Sequence, residues 1–205
     1  MHAILSLGMG YCIGCISPAA WLGKKKNVDL KKEGTKNLGA TNTAIVLGRS
    51  AGIFVMLFDI LKSYLSAKLA KILFPHLIAA GLIACLGVII GHCYPITMHF
   101  QGGKGLAAFG GMVLSYKFWF FPAIVLPGLV LMGIFNTGAV MPFLATILFP
   151  CLIAYRGGCW QEVLVAVIAG AFILFMHRDN LRRAREKNDV VSFSEFLKNT
   201  LFKKK

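Results

Sequence analysis

The stretch "LIAAGLIACLGVIIGHCYPITMHFQGGKGLA", residues 77–107, joins a long apolar run to a glycine-rich loop. Residues 77–98 are mostly apolar and reach the ~20 residues with which a helix crosses the hydrocarbon core of a bilayer. The loop that follows places Lys104 between glycines, and glycine-rich turns with a lysine hold phosphate in many soluble enzymes. The stretch therefore predicts a membrane helix that ends at a phosphate-binding loop.

Apolar runs recur along the whole chain. Of its 205 residues 57% are hydrophobic, and the mean hydropathy is +0.71, so the polar residues cannot cover the exterior of a soluble domain. We expect an all-α integral membrane protein that forms one domain over residues 1–205, with seven transmembrane helices and six as the alternative count. The fourth run is short, and we expect it to be tilted, partly re-entrant or fused with its neighbour. The runs are residues 3–22, 44–73, 77–98, 105–116, 118–135, 137–155 and 161–177.

The first run argues against a cleaved signal peptide, and the cysteines argue against a disulfide framework. The run begins almost at Met1 without a basic segment before it, which indicates a retained membrane helix rather than a cleaved signal peptide. The six cysteines lie in or beside apolar runs, so we expect small buried hydrophobes and not a disulfide framework. Cys12 and Cys15 form C-x-x-C, but no second pair accompanies them in a loop, so no metal site is predicted.

The positive charge is concentrated in two segments. Six lysines lie in residues 24–36, and nine basic residues lie in residues 178–205. Seven crossings put both segments and Lys104 on one side of the membrane, and the positive-inside rule makes that side the cytoplasm, with the N-terminus outside. Anionic lipid headgroups account for the net charge of +14 without a nucleic-acid partner. Residues 186–205 are predicted to form a basic cytoplasmic tail, as an amphipathic helix on the membrane surface.

The first of three polar stretches is "EGTKNLGATN", residues 33–42, just before an apolar run. Small residues let backbone N–H groups approach a ligand, and a helix N-terminus carries partial positive charge. The stretch therefore predicts an anion site. The alternative is a capped loop-to-helix junction with Thr41 or Asn42 as the N-cap.

The second polar stretch surrounds Lys104, in "GHCYPITMHFQGGKGLAAFGG", residues 91–111. It lacks the full P-loop spacing, and no serine or threonine follows Lys104 to hold magnesium, so a nucleotide triphosphatase is not expected. Backbone amides of flexible glycines and one ammonium group are sufficient to bind a single phosphate. His92 and His99 flank the loop, and we interpret each of them as an interface histidine.

The third polar stretch is "FMHRDNLRRAREKN", residues 175–188, where the last apolar run ends. His177 and Asn180 are three residues apart and therefore share one face of a continuing helix, with arginines around them. Such a face predicts a site for a phosphorylated polar substrate. The alternative, a basic flank of a membrane helix, explains the arginines but not the histidine–asparagine pair.

Asp59 and Lys62 stand inside the second apolar run. An unpaired charge at that depth costs about 2.5 to 3.5 kcal/mol on insertion scales. A pair at i and i+3 lowers this cost, so we expect a structural ion pair that faces the interior of the bundle.

Together these stretches resemble the PlsY family, the acyl-phosphate-dependent glycerol-3-phosphate acyltransferases of bacterial membranes. "GTKNLGATN" resembles the first family motif, usually G-S-G-N-x-G-A-T-N. "GHCYP" followed by "FQGGKGLA" resembles the second motif, "HRDNLRR" resembles the third, and D-x-x-K at Asp59 and Lys62 also fits. The motifs lie in the expected order and span almost the whole chain.

The resemblance implies transfer of a fatty acyl group from acyl phosphate to the sn-1 hydroxyl of glycerol 3-phosphate, giving lysophosphatidic acid and phosphate. It implies no metal and no cofactor, a monomer, and a place in the bacterial cytoplasmic membrane. Lys104 and His177 would be catalytic, with the general base either His177 or, as the family favours, the phosphate of the substrate. The expected substrate-binding residues are Thr35, Asn37, Gly39, Thr41, Asn42, Gly102, Gly103, Lys104, His177, Arg178 and Asn180.

The chain departs from the family pattern at four positions. Thr35 and Lys36 replace the usual serine and glycine, Ile45 stands where an arginine is common, and Met141 lies near an expected serine. These departures keep open a catalytically inactive, lipid-binding relative. A transporter of small organic anions is a further alternative, although no inverted repeat is visible and the polar clusters lie on one side.

Overall fold

A computed structural model of the chain describes residues 1–185 and residue 194. The tail helix expected within residues 186–205 otherwise lies outside the described residues. Every regular element among the described residues is helical. The helices are α1 His2–Gly14, α2 Pro18–Lys25, α3 Ala40–Leu47, α4 Arg49–Leu73, α5 Ala80–Cys93, a 3-10 turn Ile96–Met98, α6 Leu106–Tyr116, α7 Phe120–Phe135, α8 Val140–Tyr155, α9 Trp160–Met176 and α10 Arg178–Arg185.

Each apolar run of the sequence forms one helix or two consecutive helices. The run at 44–73 is divided, because Gly48 adopts a positive φ of 97° that ends α3 and starts α4. The short run at 105–116 forms a separate helix of 11 residues, α6. Among the described residues, two helical spans are long and apolar enough to cross a membrane, judged by length and composition alone: His2–Lys25 and Ala80–Met98. The count of seven crossings therefore stays a prediction.

Helices α1 and α5 pack backbone against backbone through glycines. A Cβ atom on Gly10 would overlap the carbonyl oxygen of Ala84, and one on Gly87 would overlap that of Leu7. Small residues spaced four apart allow this close approach, which supplies packing where lipid provides no hydrophobic driving force. The glycines at the contact are Gly10 and Gly14 on α1 and Gly87 and Gly91 on α5.

The centre of the bundle lies around α6, which packs against α4, α5 and α9. Phe109 of α6 and Phe149 of α8 are fully buried, with ring centroids 5.7 Å apart in an edge-to-face arrangement. Because α6 begins directly after the Lys104 loop, this packing fixes the position of the loop relative to the core.

Candidate active site

A cavity of about 470 Å³ opens at the end of the bundle where α6 begins and α9 ends. It receives residues from all three polar stretches of the sequence. Its polar lining consists of Thr35, Asn37, Gly39, Thr41, Asp59, His92, Lys104, His177, Asn180 and Arg183. Its apolar lining comes mainly from α6 and α7 and includes Leu106, Phe109, Val113, Phe121, Ile124, Val125, Leu129 and Met132.

The glycines before Lys104 hold the loop against α5. The backbone N–H of Gly102 donates to the carbonyl of Cys93, and that of Gly103 donates to the carbonyl of His92, each at 3.0 Å. A Cβ atom on Gly102 would overlap the His92 carbonyl oxygen, and one on Gly103 would overlap the His92 ring. Neither glycine lines the cavity, and the amide of each is already hydrogen-bonded. The structure thus gives both glycines a packing role, and their expected contact with phosphate stays a prediction.

Lys104 itself reaches the cavity and is half-buried. Its Nζ donates to Oδ1 of Asn180 at 2.5 Å. Burial lowers the pKa of the ammonium group; the Asp179 carboxylate opposes that shift, and the charges of Arg183 and Arg178 add to it. An ammonium group that has lost part of its hydration is well suited to bind an anion.

His177 follows the last residue of α9 and is 5% exposed. Its Nδ1 lies 2.9 Å from the carbonyl oxygen of Ile173, and since a carbonyl only accepts, Nδ1 carries the proton. Burial lowers the pKa of His177 to about 4, with the Ile173 hydrogen bond opposing the shift and the Lys104 charge adding to it. The ring is therefore neutral at physiological pH, and its Nε2 has a free lone pair.

The first polar stretch is organised by Asn42, which is fully buried and does not line the cavity. Its Nδ2 donates to the carbonyl of Leu30 at 2.8 Å, and its Oδ1 accepts from the N–H of Thr35 at 2.6 Å. These two bonds hold the loop so that Thr35, Asn37, Gly39 and Thr41 line the cavity. The alternative that Thr41 or Asn42 is the N-cap is wrong, because Gly39 takes that position before α3.

The arginines after α9 separate into two groups. The guanidinium of Arg178 donates to the carbonyl of Phe175 at 2.9 Å and lies 4.2 Å from the centroid of the Phe175 ring. Arg178 is not part of the cavity lining. Arg183 does line the cavity, although it was not among the residues predicted from the sequence to bind substrate. The signal was present, because Arg183 is three residues after Asn180 and so shares its helix face.

A buried cluster of charge lies beneath the Lys104 loop. Nζ of Lys62 is 2.7 Å from Oδ1 of Asp59 and also donates to the carbonyls of Gly14 and Ile16 at 3.2 and 2.9 Å. The expected ion pair is thereby confirmed. Nδ1 of His92 is 3.3 Å from the same Asp59 oxygen, so the cluster also fixes the ring that packs against Gly103. No group of three or more potential metal ligands occurs among the described residues.

Comparison with known proteins assigns the chain to a family. A sequence model described as "Glycerol-3-phosphate acyltransferase" matches residues 4–187. The chain is 34% identical over 200 residues to the glycerol-3-phosphate acyltransferase of Lactiplantibacillus plantarum, covering 96% of this chain and 94% of that protein. It is 33% identical to the enzyme of Enterococcus faecalis over 201 residues, with 90% and 89% covered. The chain belongs to the glycerol-3-phosphate acyltransferase family.

Two crystal structures of the integral membrane glycerol-3-phosphate acyltransferase PlsY have the same fold. Its glycerol 3-phosphate form gives a TM-score of 0.80 at 28% identity, covering 92% of this chain and 94% of that chain. Its lysophosphatidic acid form gives 0.80 at 29% identity, covering 96% and 99%. This glycerol-3-phosphate acyltransferase family member is accordingly a membrane protein, and the regular elements of its described residues are helices.

The departures from the expected motifs occupy different places in this acyltransferase. Ile45 and Met141 line the cavity, and Thr35 lines it with a hydroxyl group in place of that of serine. Lys36 is exposed, lies outside the cavity lining and has a φ of 56°, a conformation that glycine adopts without strain. Its side chain therefore does not crowd the cavity.

Proposed function

We propose that this protein transfers a fatty acyl group from acyl phosphate to the sn-1 hydroxyl of glycerol 3-phosphate, for phospholipid synthesis. The observation that carries the proposal is the division of one cavity into a polar part at Lys104, His177 and Asn180 and an apolar part along α6 and α7. A phosphorylated headgroup and a fatty chain fit these two parts. The family membership and the forms in which the PlsY structures are described, with glycerol 3-phosphate and with lysophosphatidic acid, support it.

The acyl chain would lie along the apolar lining of α6 and α7. Phe109 and Val113 of α6 and Ile124 and Leu129 of α7 contribute to it. The reacting carbonyl would then lie where α6 begins, next to Lys104. The Lys104 ammonium group would bind the phosphate of the donor and neutralise the charge that develops as the carbonyl becomes tetrahedral. A well-placed donor of this kind contributes about 10²- to 10³-fold to the rate.

The acceptor hydroxyl would lie near His177. Its oxygen forms the new ester bond to the acyl carbon, the bond from that carbon to the phosphate oxygen breaks, and phosphate leaves with the electron pair. The hydroxyl proton goes to a phosphate oxygen, because the second pKa of a phosphate monoester is about 6, above the value of about 4 to which burial lowers the pKa of His177. Nε2 of His177 then accepts a hydrogen bond and orients the acceptor.

The donor in this proposal is acyl phosphate, a mixed anhydride with a good leaving group. It needs no acyl-enzyme intermediate. Consistent with this, no serine or cysteine lines the cavity among the residues that the structure describes. We propose no metal and no cofactor for the reaction.

We also propose seven crossings of the bacterial cytoplasmic membrane, with the N-terminus outside, the C-terminus cytoplasmic and the protein a monomer in the lipid bilayer. Thr35, Lys104, Gly138 and Asn180 line one cavity, so the segments that carry them lie at one end of the bundle. This arrangement supports an odd number of crossings, because both basic segments then share the cytoplasmic side.

Purified protein supplied with acyl phosphate and glycerol 3-phosphate tests the activity. We expect lysophosphatidic acid and phosphate in equal amounts, and much slower turnover when acyl-CoA replaces acyl phosphate. The inactive, lipid-binding relative is the second candidate, which Ile45 and Met141 favour because they add apolar surface to the cavity. Folded protein that binds lysophosphatidic acid but forms none would establish that alternative.

A further inference from the structure

Arg183 lies on the same face of α10 as Asn180, and His177 immediately precedes α10. The three residues are spaced by three, and all of them line the cavity. Among the described residues, the cavity lining contains one lysine, Lys104, and one arginine, Arg183. Arg183 is exposed, whereas His177 is buried, so these lining residues extend from the interior of the cavity to its mouth.

The proposed reaction brings two phosphate groups into this cavity. One ammonium group cannot neutralise both, and Nζ of Lys104 is partly used by Asn180. The positive charge of Arg183 is close enough to contribute to lowering the pKa of Lys104. Such a pair of cations repels in the empty cavity and is relieved when anions bind. The planar guanidinium group also binds a phosphate through two parallel hydrogen bonds, which an ammonium group cannot do.

The two cations differ in what lies beside them. Lys104 lies two residues before α6, which contributes to the apolar lining, so the phosphate of a fatty acyl donor would lie next to Lys104. Arg183 lies two helical steps beyond His177, and each step of three residues rises about 4.5 Å. Because Arg183 is exposed and Lys104 is half-buried, Arg183 lies nearer to water than Lys104 does.

We propose that the guanidinium group of Arg183 binds the phosphate of glycerol 3-phosphate, while Lys104 binds the phosphate of the acyl donor. This assignment rests on the proposed function. The three carbons of glycerol separate the reacting hydroxyl from the phosphate, and His177 and Arg183 provide two separate positions in the cavity lining for these two groups. Arg183 thus makes the site select a phosphorylated acceptor over glycerol.

Kinetics of Arg183→Ala, Arg183→Lys and the control Arg182→Ala in full-length purified protein test this inference. Arg182 neighbours Arg183 on the same helix and is not part of the cavity lining, so the control removes the same charge. We expect Arg183→Ala to raise the KM for glycerol 3-phosphate about 10- to 100-fold, with kcat and the KM for acyl phosphate changed less than about 3-fold. Arg183→Lys should be intermediate, and Arg182→Ala should match the wild type. A larger effect on acyl phosphate than on glycerol 3-phosphate, or equal effects of the two alanine variants, would overturn the assignment.

A binding measurement without turnover separates this inference from the proposed function. Glycerol 3-phosphate should raise the Tm of the wild type and of Arg182→Ala but not that of Arg183→Ala, and glycerol should raise none of them. If the wild type shows this shift without turnover, the activity is wrong and the inference stands. If turnover is normal and Arg183→Ala still shows the full shift, only the inference is wrong. If Arg183→Ala instead loses stabilisation by phosphatidylglycerol and keeps the shift with glycerol 3-phosphate, Arg183 binds lipid headgroups and the assignment is overturned.

Discussion

Nζ of Lys104 donates a hydrogen bond to Oδ1 of Asn180 across 76 residues of sequence. This contact joins the loop between α5 and α6 to the helix that follows α9. It couples the position of the cation to α10, which also carries Arg183. A ligand that binds Lys104 therefore meets a group whose orientation is set before binding, which lowers the entropy lost on association.

Asn180 is predicted to position both Lys104 and the acceptor. Asn180→Ala removes one hydrogen bond to a charged group, and we expect the KM for glycerol 3-phosphate to rise about 10-fold. Asn180→Asp should be more severe, with kcat/KM lower by about 100-fold, because a carboxylate next to Lys104 competes with phosphate for the ammonium group. Initial rates at varied glycerol 3-phosphate measure both effects. An Asn180→Asp enzyme as active as the wild type would contradict this role.

Gly103 is predicted to tolerate no side chain. In Gly103→Ala the new Cβ atom would overlap the His92 ring and lie 2.8 Å from the carbonyl oxygen of Leu38, so the loop must move and displace Lys104. We expect turnover to fall by at least about 10²-fold together with a lower Tm. Gly133→Ala is the control, since no atom lies within 4 Å of a Cβ there and alanine favours a helix by up to about 1 kcal/mol. A Gly103→Ala protein with normal turnover would show that the loop does not depend on this contact.

The lowered pKa of His177 predicts a pH dependence of stability. Between its ordinary value of 6.5 and the folded value of about 4, the unfolded chain binds a proton that the folded protein does not. The contribution of the neutral His177 to the free energy of unfolding is therefore fully present above pH 6.5. It is lost as the pH falls towards 4, by an amount on the order of 3 kcal/mol. Tm against pH should fall more steeply for the wild type than for His177→Gln, while the exposed His76→Gln should follow the wild type. Parallel curves for the wild type and His177→Gln would contradict the buried neutral state.

The topology predicts that the two ends of the chain lie on opposite sides of the membrane. Reporter domains fused at Met1 and at Lys205 should report from outside and from the cytoplasm, respectively. A reporter inserted between Phe74 and Ala79, at the end of the bundle opposite the cavity, is the internal control and should lie outside. Reporters from both termini on the same side would exclude seven crossings.

Much of this fold could be predicted from the sequence, because the apolar runs indicate the helices almost residue by residue. The division of the second run at Gly48 could not, since a lone glycine is tolerated within a helix and its φ of 97° depends on tertiary contacts. The meeting of the three polar stretches was predicted from the number of apolar runs together with the charge distribution. The pairing of Asp59 with Lys62 followed from the cost of burying either one alone.

The roles of individual site residues were harder to predict. Glycines at 102 and 103 are equally compatible with a phosphate-binding turn and with close packing, and only the position of His92 distinguishes the two. Asn42 lies in the most polar stretch, yet its side chain turns inward to Leu30 and Thr35. Whether Arg178 or Arg183 lines the cavity depends on which face of α10 is turned towards the cavity, and the sequence does not show this.

Lys104 is proposed to bind phosphate at the reacting centre, and turnover by folded Lys104→Ala is the direct test of this role. The variant should express, keep a Tm close to that of the wild type and lose about 10²- to 10³-fold or more in turnover of acyl phosphate and glycerol 3-phosphate. Lys104→Arg should rescue poorly, because the guanidinium group differs in reach and geometry from an ammonium group. Lys117→Ala, which removes a lysine at the other end of α6, is the control and should keep normal turnover. A folded Lys104→Ala protein with near-normal turnover would contradict the account.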